Sequence, residues 1–288
     1  MKITPDCVPC LMKRILFQAR LLDSGCESDC IKAAVDTFSK EYDTSRSSAS
    51  VATEVHRAAY NIMGADPYKQ MKIDADNVAA EFLDYVTNYV DTSDDSFAAA
   101  LRVAVIGNIM DFGVSLAIDN PEQFRYRFKD LLDQGIGADD TEILRNHLKN
   151  AKKVAYFFDN CGESQFDKLL IKEIQKMGVK VTGVVRGEAI LNDVTLEDAK
   201  RIGLDKILDK LITTGTFAIG VDLSKAGEDL LSELSEVDLI ISKGMANYES
   251  ISDQKVNVPI VYILRTKCEP VAKSLGVPAD INVVKMVD

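Results

Sequence analysis

Residues 154–163 read VAYFFDNCGE, a run of apolar residues that leads directly into a carboxylate, an amide and a glycine turn. The apolar part is typical of a strand buried on both faces of a sheet. One interpretation is structural, because Asp159 is suited to cap a helix that follows the strand. The other is functional, because the oxygens of Asp159 and Asn160 suit a hard metal ion at the carboxyl edge of a parallel sheet.

The composition is that of an ordinary globular protein. The chain has 288 residues, of which 47% are hydrophobic and 27% charged, enough for a sizeable core. Its net charge of −11 argues against nucleic acid as a partner, since such a partner requires a basic face. No apolar run reaches the roughly 20 residues of a membrane span, and no apolar leader is visible, so a cytoplasmic location without a membrane partner is expected. The oligomeric state is left open.

The two halves of the chain follow different patterns. Over residues 1–148, apolar residues recur at helical spacing, which predicts a mainly helical region that contributes to the pocket. It includes one long helix over residues 73–90 and a buried helix within residues 97–118. Over residues 149–288, short apolar strands alternate with helices, which predicts an α/β core with a parallel sheet covered on both faces. Thr195 and Asp222 are predicted to cap two of its helices.

Polar residues follow every predicted strand, where ligands bind in an open parallel sheet. In chain order they are Asp159, Asn160, Gly162 and Glu163; Arg186, Glu188, Asn192 and Asp193; Thr214 and Thr216; Lys243, Asn247 and Glu249; and Arg265 and Lys267. Asp159, Asn160 and Asp193 supply the carboxylate and amide oxygens that Mg²⁺ and Mn²⁺ prefer. The alternative for Asp193 is an ordinary turn residue.

Several of these residues suit a phosphate. Lys243, Arg186 and Arg265 can neutralise its charge, and Gly162 lets backbone N–H groups approach an anion at a helix start. The alternative for Lys243 is a solvated loop lysine.

Asn108 and Asp111 lie within an apolar stretch, and on a helix they share one face. If they are buried, both side chains need hydrogen-bond partners.

The chain has six cysteines, which in a reducing compartment are thiols or metal ligands rather than disulfides. Cys7 and Cys10 form a CxxC pair, and Cys26 and Cys30 follow, so a structural zinc site, a redox site and plain thiols all remain open. Cys161 follows the first strand and could be a nucleophile, but no histidine lies near it in sequence to activate it.

Four motifs keep a recognisable order along the chain. They are GNIMDFG at 107–113, DNCGE at 159–163, RG at 186–187 with LNDVT at 191–195, and KGMANYE at 243–249. Together they resemble the damage-control phosphatases, metal-dependent phosphatases long known only as a domain of unknown function. The Pro-x-Cys-x-x-Cys at 5–10 and the DPYK turn at 66–69 resemble the prokaryotic cysteine-containing branch of that family.

The resemblance implies a helical bundle region packed on a Rossmann-like, three-layer α/β core. It implies a divalent metal (manganese, cobalt, nickel or magnesium) held by Asp159, Asn160 and Asp193. It also implies small phosphorylated metabolites as substrates, including sugar phosphates and damaged cofactors or their precursors. The residues expected to bind the substrate or its phosphate are Asn108, Cys161, Gly162, Arg186, Asn247 and Glu249.

The expected reaction is metal-dependent hydrolysis of a phosphomonoester. The metal would polarise phosphorus, and Lys243, which matches the family's phosphate-side lysine, would stabilise charge on the phosphoryl oxygens. Asp111 is the first candidate to position or deprotonate the water, with Glu163 and Glu249 as alternatives.

Three other functions remain open from the sequence. The chain could be a non-catalytic metabolite or nucleotide sensor, or a protein in which the Cys7 and Cys10 thiols hold a metal. It could also be a carboxylate methyltransferase, although the chain has no glycine-rich cofactor loop.

Overall fold

In a computed structural model, residues 1–22, 25–109 and 121–287 are described. The first half is helical, as the apolar spacing predicts. Its helices are α1 (Cys7–Leu21), α2 (Glu27–Glu41), α3 (Ser48–Met63), α4 (Lys69–Glu81), α5 (Leu83–Asp91), α6 (Ser96–Ile109) and α7 (Pro121–Gln134). The single helix predicted over residues 73–90 is wrong, because the helix is interrupted at Phe82 between α4 and α5. Phe82, Val86 and Val90 nevertheless lie together in the core.

The second half alternates strands and helices, as predicted. Two elements, β1 (Ala138–Asp139) and α8 (Thr141–Asn150), begin before residue 149. They are followed by β2 (Lys153–Phe157), α9 (Glu163–Lys176), β3 (Lys180–Val185), α10 (Leu196–Arg201), a 3-10 turn (Leu204–Lys206), β4 (Lys210–Thr213), α11 (Glu228–Leu234), β5 (Leu239–Lys243), α12 (Gly244–Ile251), β6 (Ile260–Arg265), α13 (Glu269–Leu275) and β7 (Asn282–Val287). The Thr195 cap is confirmed by a reciprocal capping box with Asp198. The Asp222 cap is wrong, because α11 begins after Gly227 and the Asp222 carboxylate accepts the nearby Ser224 N–H instead.

The strands form one seven-stranded sheet in the order β1-β7-β6-β5-β2-β3-β4. Its pairs are parallel except that β7 runs antiparallel to β6. The two ends of the connection through α13 lie together, because the Thr266 N–H donates to the Ile281 carbonyl at 3.0 Å. Strand β7 therefore starts at the edge of the sheet where β6 ends. From β2 the chain proceeds to β3 and β4 on one side and then returns to β5 on the other. The strand order therefore reverses at the β2/β5 boundary, where open α/β sheets bind ligands.

Helices cover both faces of the sheet, which gives the expected three layers. Along β2, Val154 and Tyr156 face a core shared with α5, α6 and α9, whereas Ala155 and Phe157 face a second core shared with α11, α12 and α13. The first core joins residues from both sides of position 148. A third core packs α1, α2 and α3 against loop residues of the second half such as Leu191.

In the part of the chain that the structure describes, no helix is both long enough and apolar enough to cross a membrane.

Candidate functional site

The loops that follow β2 and β3 are joined by their backbones. The Asp159 carbonyl accepts the Val194 N–H at 2.9 Å, and the Arg186 N–H donates to the Val194 carbonyl at 2.8 Å. Asn160 and Asp193 form an isolated antiparallel bridge. This pairing places Asp159, Asn160 and Asp193 side by side at the carboxyl edge of the sheet.

Asp159 does not cap the helix after β2, because the N-cap of α9 is Gly162 and no side chain caps it. The carboxylate instead points into a buried polar cluster. Its Oδ2 accepts the side-chain amides of Asn108 at 3.1 Å and Asn160 at 3.0 Å. Its Oδ1 is buried and has no hydrogen-bond partner. The structural interpretation of Asp159 is therefore wrong, and an oxygen is left over for a ligand.

Negative charge accumulates around this oxygen. Burial raises the pKa of Asp159 well above its ordinary value, and the carboxylates of Glu163 and Asp193 raise it further, while Arg186 opposes them. Burial also raises the pKa of Asp193, again opposed by Arg186. A bound cation would relieve both effects by neutralising the carboxylates.

The Arg186 side chain lies between the two aspartates. Its Nε donates to Asp193 Oδ2 at 2.6 Å, and its Nη2 lies 3.8 Å from Asp159 Oδ1. Only 1% of Arg186 is exposed, yet neither Nη1 nor Nη2 has a hydrogen-bond partner. A buried guanidinium with unpaired N–H groups is unfavourable by itself, and an anion beside it would satisfy those groups.

Helix α6 reaches the cluster from the helical half. Asn108 donates to Asp159 Oδ2 and, at 2.8 Å, to Glu163 Oε2. Asn160 donates to the same Glu163 oxygen at 3.0 Å. The preceding Gly107 permits this approach, since a Cβ there would lie 3.1 Å from the Glu163 Cβ. Asp111, the first candidate for handling the water, lies outside the described residues.

Lys243 is fully buried, and its ammonium is saturated. Its Nζ donates to Glu163 Oε1 at 3.0 Å, to Asp167 Oδ1 at 2.5 Å and to the Ala104 carbonyl at 3.0 Å. These three acceptors match its three N–H groups, so the solvated loop lysine is excluded and no N–H remains for a phosphate. Burial tends to lower the pKa of Lys243, but Asp167 and Glu163 outweigh it and the pKa is raised.

Asp167 belongs to this cluster, although its position in the middle of a helix gave no reason to select it. It accepts the Tyr156 hydroxyl at 2.7 Å as well as the Lys243 ammonium. Burial raises the pKa of its carboxyl to about 6, with Lys243 opposing the rise. The available signal was its spacing, since a residue four positions after Glu163 shares its helix face.

Gly244 and Asn247, which follow β5, lie against the residues that follow β2. Gly244 has a φ of 73°, and a Cβ there would lie 1.7 Å from Asp159 Oδ2. The Asn247 amide donates to the Phe158 carbonyl at 3.0 Å and to the Lys243 carbonyl at 2.8 Å, while its buried Oδ1 has no hydrogen-bond partner. Both residues thus adjoin Asp159.

Glu249 points elsewhere. Its carboxylate accepts the Ser48 hydroxyl at 3.0 Å, and its backbone carbonyl accepts the N-terminal amine of Met1 at 2.8 Å. It faces α3 and the N-terminus, and no bond joins it to the Asp159 cluster among the described contacts.

Cys161 and Gly162, which lie between Asn160 and Glu163, are both buried in other interactions. Burial raises the pKa of the Cys161 thiol well above its ordinary value, so it is a poor nucleophile. The Gly162 N–H, expected to face an anion, instead donates to the carboxylate of Asp76 at 2.7 Å. Asp76 is the second residue that sequence reasoning missed.

The four N-terminal cysteines differ in exposure, and two of them are in contact. Cys10 is exposed, Cys7 and Cys26 are half-buried, and Cys30 is buried with its sulfur 3.5 Å from that of Cys26. Among the described residues, no group of three or more His, Cys, Asp or Glu side chains is arranged to hold a metal ion. A metal or redox role for these thiols stays a prediction.

The donors around Asp159 fit a hard divalent cation. They are carboxylate and amide oxygens, one of them buried without a partner, and the surrounding carboxylates exceed the cations that neutralise them. The unpaired N–H groups of Arg186 supply a place for an anion next to it.

Comparisons with known proteins show which family the chain resembles. A model of the ARMT1-like damage-control phosphatase domain matches residues 3–283. A damage-control phosphatase of Archaeoglobus fulgidus is 39% identical over 291 residues, covering 100% of both chains. A damage-control phosphatase of Pyrococcus horikoshii is 29% identical over 96% of both chains.

A solved structure supports the same relationship. A DUF89 family protein from Pyrococcus horikoshii superposes with a TM-score of 0.90 at 28% identity, covering 99% of this chain and 98% of that one. The predicted resemblance and fold class are therefore confirmed, and the chain belongs to the ARMT1-like damage-control phosphatase family.

Proposed function

We propose that the protein is a divalent-metal-dependent phosphatase that hydrolyses phosphomonoesters of small metabolites. One observation carries the proposal: a buried Asp159 oxygen lies 3.8 Å from a buried Arg186, and neither this oxygen nor the two terminal nitrogens of Arg186 has a hydrogen-bond partner among the described residues. Such a pair of unsatisfied groups suits a cation and an anion bound together. The names of the relatives, damage-control phosphatases, support the same reaction class.

Asp159, Asn160 and Asp193 would hold the metal, for which manganese, cobalt, nickel and magnesium are the candidates. When bound, such an ion would neutralise charge on a phosphoryl oxygen and lower the pKa of a coordinated water. Arg186 fixes the Asp193 carboxylate through its Nε–H, which donates to Oδ2 at 2.6 Å.

We propose that Arg186 binds the phosphoryl group. Its Nη1 and Nη2 can donate to phosphoryl oxygens without breaking the bond from Nε to Asp193. Their charge would stabilise the additional negative charge of the transition state.

Lys243 supports the site in a different way from the one expected. Because its three N–H groups are used, it acts by holding the Glu163 carboxylate. The Asn108 and Asn160 amides hold the other oxygen of Glu163. Glu163 is thus fixed beside Asp159, where it can orient a water molecule or accept its proton. Asp111 remains a further candidate for that role.

Two considerations support the substrate class that we propose, namely the size of the charged site and the family. One arginine with two free nitrogens suits a single phosphoryl group rather than a polyphosphate. We propose sugar phosphates and damaged cofactors or their precursors as the substrates to screen.

The decisive experiment compares wild type with Asp159→Ala in hydrolysis of p-nitrophenyl phosphate. Protein treated with a chelator is assayed with Mg²⁺, Mn²⁺, Co²⁺ and Ni²⁺ added back singly. Wild-type activity is expected to require metal, and the variant is expected to lose at least about 100-fold, because the oxygen that binds the cation is gone. Asp238→Asn is the control, since its carboxylate accepts the Lys152 N–H near the start of β2, at the opposite edge of the sheet.

Full activity of Asp159→Ala, or equal activity without metal, would overturn the proposal. Metabolite binding without turnover of any phosphate ester by wild type would favour a sensor instead.

A further inference from the structure

A chain of charged residues connects the helical half to the site loops, and three of its members, Lys72, Asp76 and Asp198, are buried. Lys72 on α4 pairs with Asp66 and Asp198, each at 3.0 Å. Arg201 on α10 pairs with Asp198 at 2.8 Å and with Asp76 on α4 at 2.6 Å. Negative and positive groups alternate along the whole series, which crosses from α4 to α10 and back.

Asp76 ends this series at the site. Its Oδ2 pairs with Arg201, and its Oδ1 accepts the backbone N–H of Gly162 at 2.7 Å. Gln165, one turn further on α9, donates to the Asp76 carbonyl at 3.3 Å, which ties the same two helices again. Only 2% of Asp76 is exposed, so its carboxylate is largely shielded from water, although its partner Arg201 lies at the surface.

The Gly162 N–H is a sensitive point to hold. Gly162 has a φ of 84°, in the left-handed region, and separates Asn160 from Glu163. Without Asp76, the N–H at the start of α9 would have no partner, and the loop that carries both side chains would lose its anchor on α4. Asp76 therefore fixes where the Asn160 and Glu163 side chains point.

Asp198, in the middle of the series, holds the second site loop. Its carboxylate accepts the Lys72 ammonium and completes the capping box with Thr195, which lies two residues after Asp193 in that loop. The same helix, α4, thus anchors the loop of Asp159 and Asn160 through Asp76 and the loop of Asp193 through Lys72.

We propose that Asp76 is a positioning residue for the metal and phosphate site, which it holds in shape from outside through the Gly162 N–H. The inference rests on the proposed function, because it concerns the same site. Among the described residues, Asp76 contacts Gly162, Gln165 and Arg201 and not Asp159, Arg186 or Asp193, and it is not expected to touch substrate. Replacing it should loosen the site while the fold persists.

A contribution to stability does not by itself explain why Asp76 and its partners are charged. Burial raises the pKa of Asp76, and Arg201 and the Gly162 N–H only partly offset it. Buried ion pairs are often no more stabilising than apolar packing, so a directional role explains them better than stability does. The buried Glu233, with Lys153 and Lys210 beside it, is a comparable ion cluster at the strand starts, far from the site, and serves as a matched control.

The test measures loop order and metal binding directly. In metal-free protein, amide hydrogen exchange at Gly162 is expected to be at least about tenfold faster in Asp76→Ala than in wild type, because the N–H loses its acceptor. Mn²⁺ affinity by titration calorimetry is expected to fall by about 10–100-fold, as for other residues that orient metal ligands. Glu233→Gln should lower thermal stability and leave both quantities unchanged.

Asp76→Asn keeps an oxygen for the Gly162 N–H but loses the charge that pairs with Arg201. It should recover most of the exchange protection and part of the Mn²⁺ affinity, and it replaces Asp76→Ala if that variant does not fold. Wild-type exchange and Mn²⁺ affinity in the folded variants would overturn the inference. If wild type binds none of Mn²⁺, Mg²⁺, Co²⁺ and Ni²⁺, the proposed function fails, whereas exchange at Gly162 still reports on the Asp76 anchor.

Discussion

Gly244 lacks a Cβ atom, and both its backbone conformation and the position of Asp159 depend on that. The residue starts α12 with a φ of 73°, and the space that its Cβ would fill is taken by the Asp159 carboxylate. Glycine at the start of this helix therefore lets Asp159 lie directly against the exit of β5. The site at the β2/β5 boundary depends on this close approach.

We expect Gly244→Ala to inactivate the protein. A Cβ 1.7 Å from Asp159 Oδ2 and 2.2 Å from its Cγ must push the carboxylate away or shift α12. A displacement of about 1 Å in a site group lowers turnover by about 100-fold, so p-nitrophenyl phosphate hydrolysis should fall at least that far. The variant should also lose about 1–2 kcal/mol from the left-handed backbone alone.

Gly276→Ala separates the two effects. Gly276 ends α13 with a nearly identical φ of 71°, but no atom lies within 4 Å of the position of its Cβ. It should show the backbone cost in urea unfolding and keep wild-type activity. Equal activity in both variants would mean that the contact with Asp159 does not matter.

Among the elements, the strand starts are held together by a buried ion cluster opposite the site. Glu233 on α11 accepts Lys210 of β4 at 2.6 Å and the Thr182 hydroxyl of β3 at 2.5 Å, and it pairs with Lys153 of β2 at 2.5 Å. One carboxylate thereby links three strands to the helix that covers them.

This cluster predicts a pH-dependent contribution to stability. Burial tends to raise the pKa of Glu233, but hydrogen bonds from Lys153, Lys210 and Thr182 outweigh it and lower the pKa from 4.5 to about 2. A carboxyl with a lowered pKa stabilises the fold fully above its unfolded value and loses that contribution as the pH falls towards the folded value. Glu233→Gln should therefore cost about 1–3 kcal/mol at neutral pH.

Urea unfolding of wild type and Glu233→Gln across this range gives the measurement. The difference in unfolding free energy should be constant above pH 4.5 and shrink between 4.5 and about 2. Glu236→Gln is the matched control, because Glu236 also pairs with Lys153 but is 62% exposed, so it should change stability little. A difference that stays constant down to pH 2 would show that charge at Glu233 is not its cause.

What the sequence predicts at this scale depends on how far apart the interacting residues lie. The apolar run before Asp159 was enough to predict β2, and the length of the apolar run within residues 97–118 favoured a buried helix around Asn108. Asp76 gave no signal, because its helix looks ordinary and the Gly162 N–H that it binds lies 86 residues away. The saturation of Lys243 was equally hidden, since it depends on Asp167 and Ala104 from two other elements.

At the scale of the whole molecule, the boundary near residue 148 is a change of sequence pattern that the core crosses. Leu101 and Ile106 on α6 belong to the same buried cluster as Tyr156 on β2 and Phe166 on α9. Asn108, on the same α6 helix, supplies side-chain bonds to Asp159 and Glu163. Both the packing and the site are thus built from two halves that look different in sequence.

We therefore expect that neither residues 1–148 nor residues 149–288 fold alone. Exposing Leu101, Val105 and Ile106, together with the surface they cover, costs about 1.5–3 kcal/mol for each side chain. These three alone approach the roughly 5–15 kcal/mol that stabilises a typical protein of one domain. Each fragment should lack the near-ultraviolet circular dichroism of fixed aromatic packing and show no cooperative thermal transition.

Mixing the fragments provides the control. Refolding them together should restore a cooperative transition and Mn²⁺ binding, because the missing face of the sheet and Asn108 are supplied together. A fragment of residues 149–288 that unfolds cooperatively and binds Mn²⁺ by itself would instead establish an independent α/β domain. In that case the contacts from α6 and α4 would adjust a site that is already formed, whereas failure of both fragments would make the helical half part of the site itself.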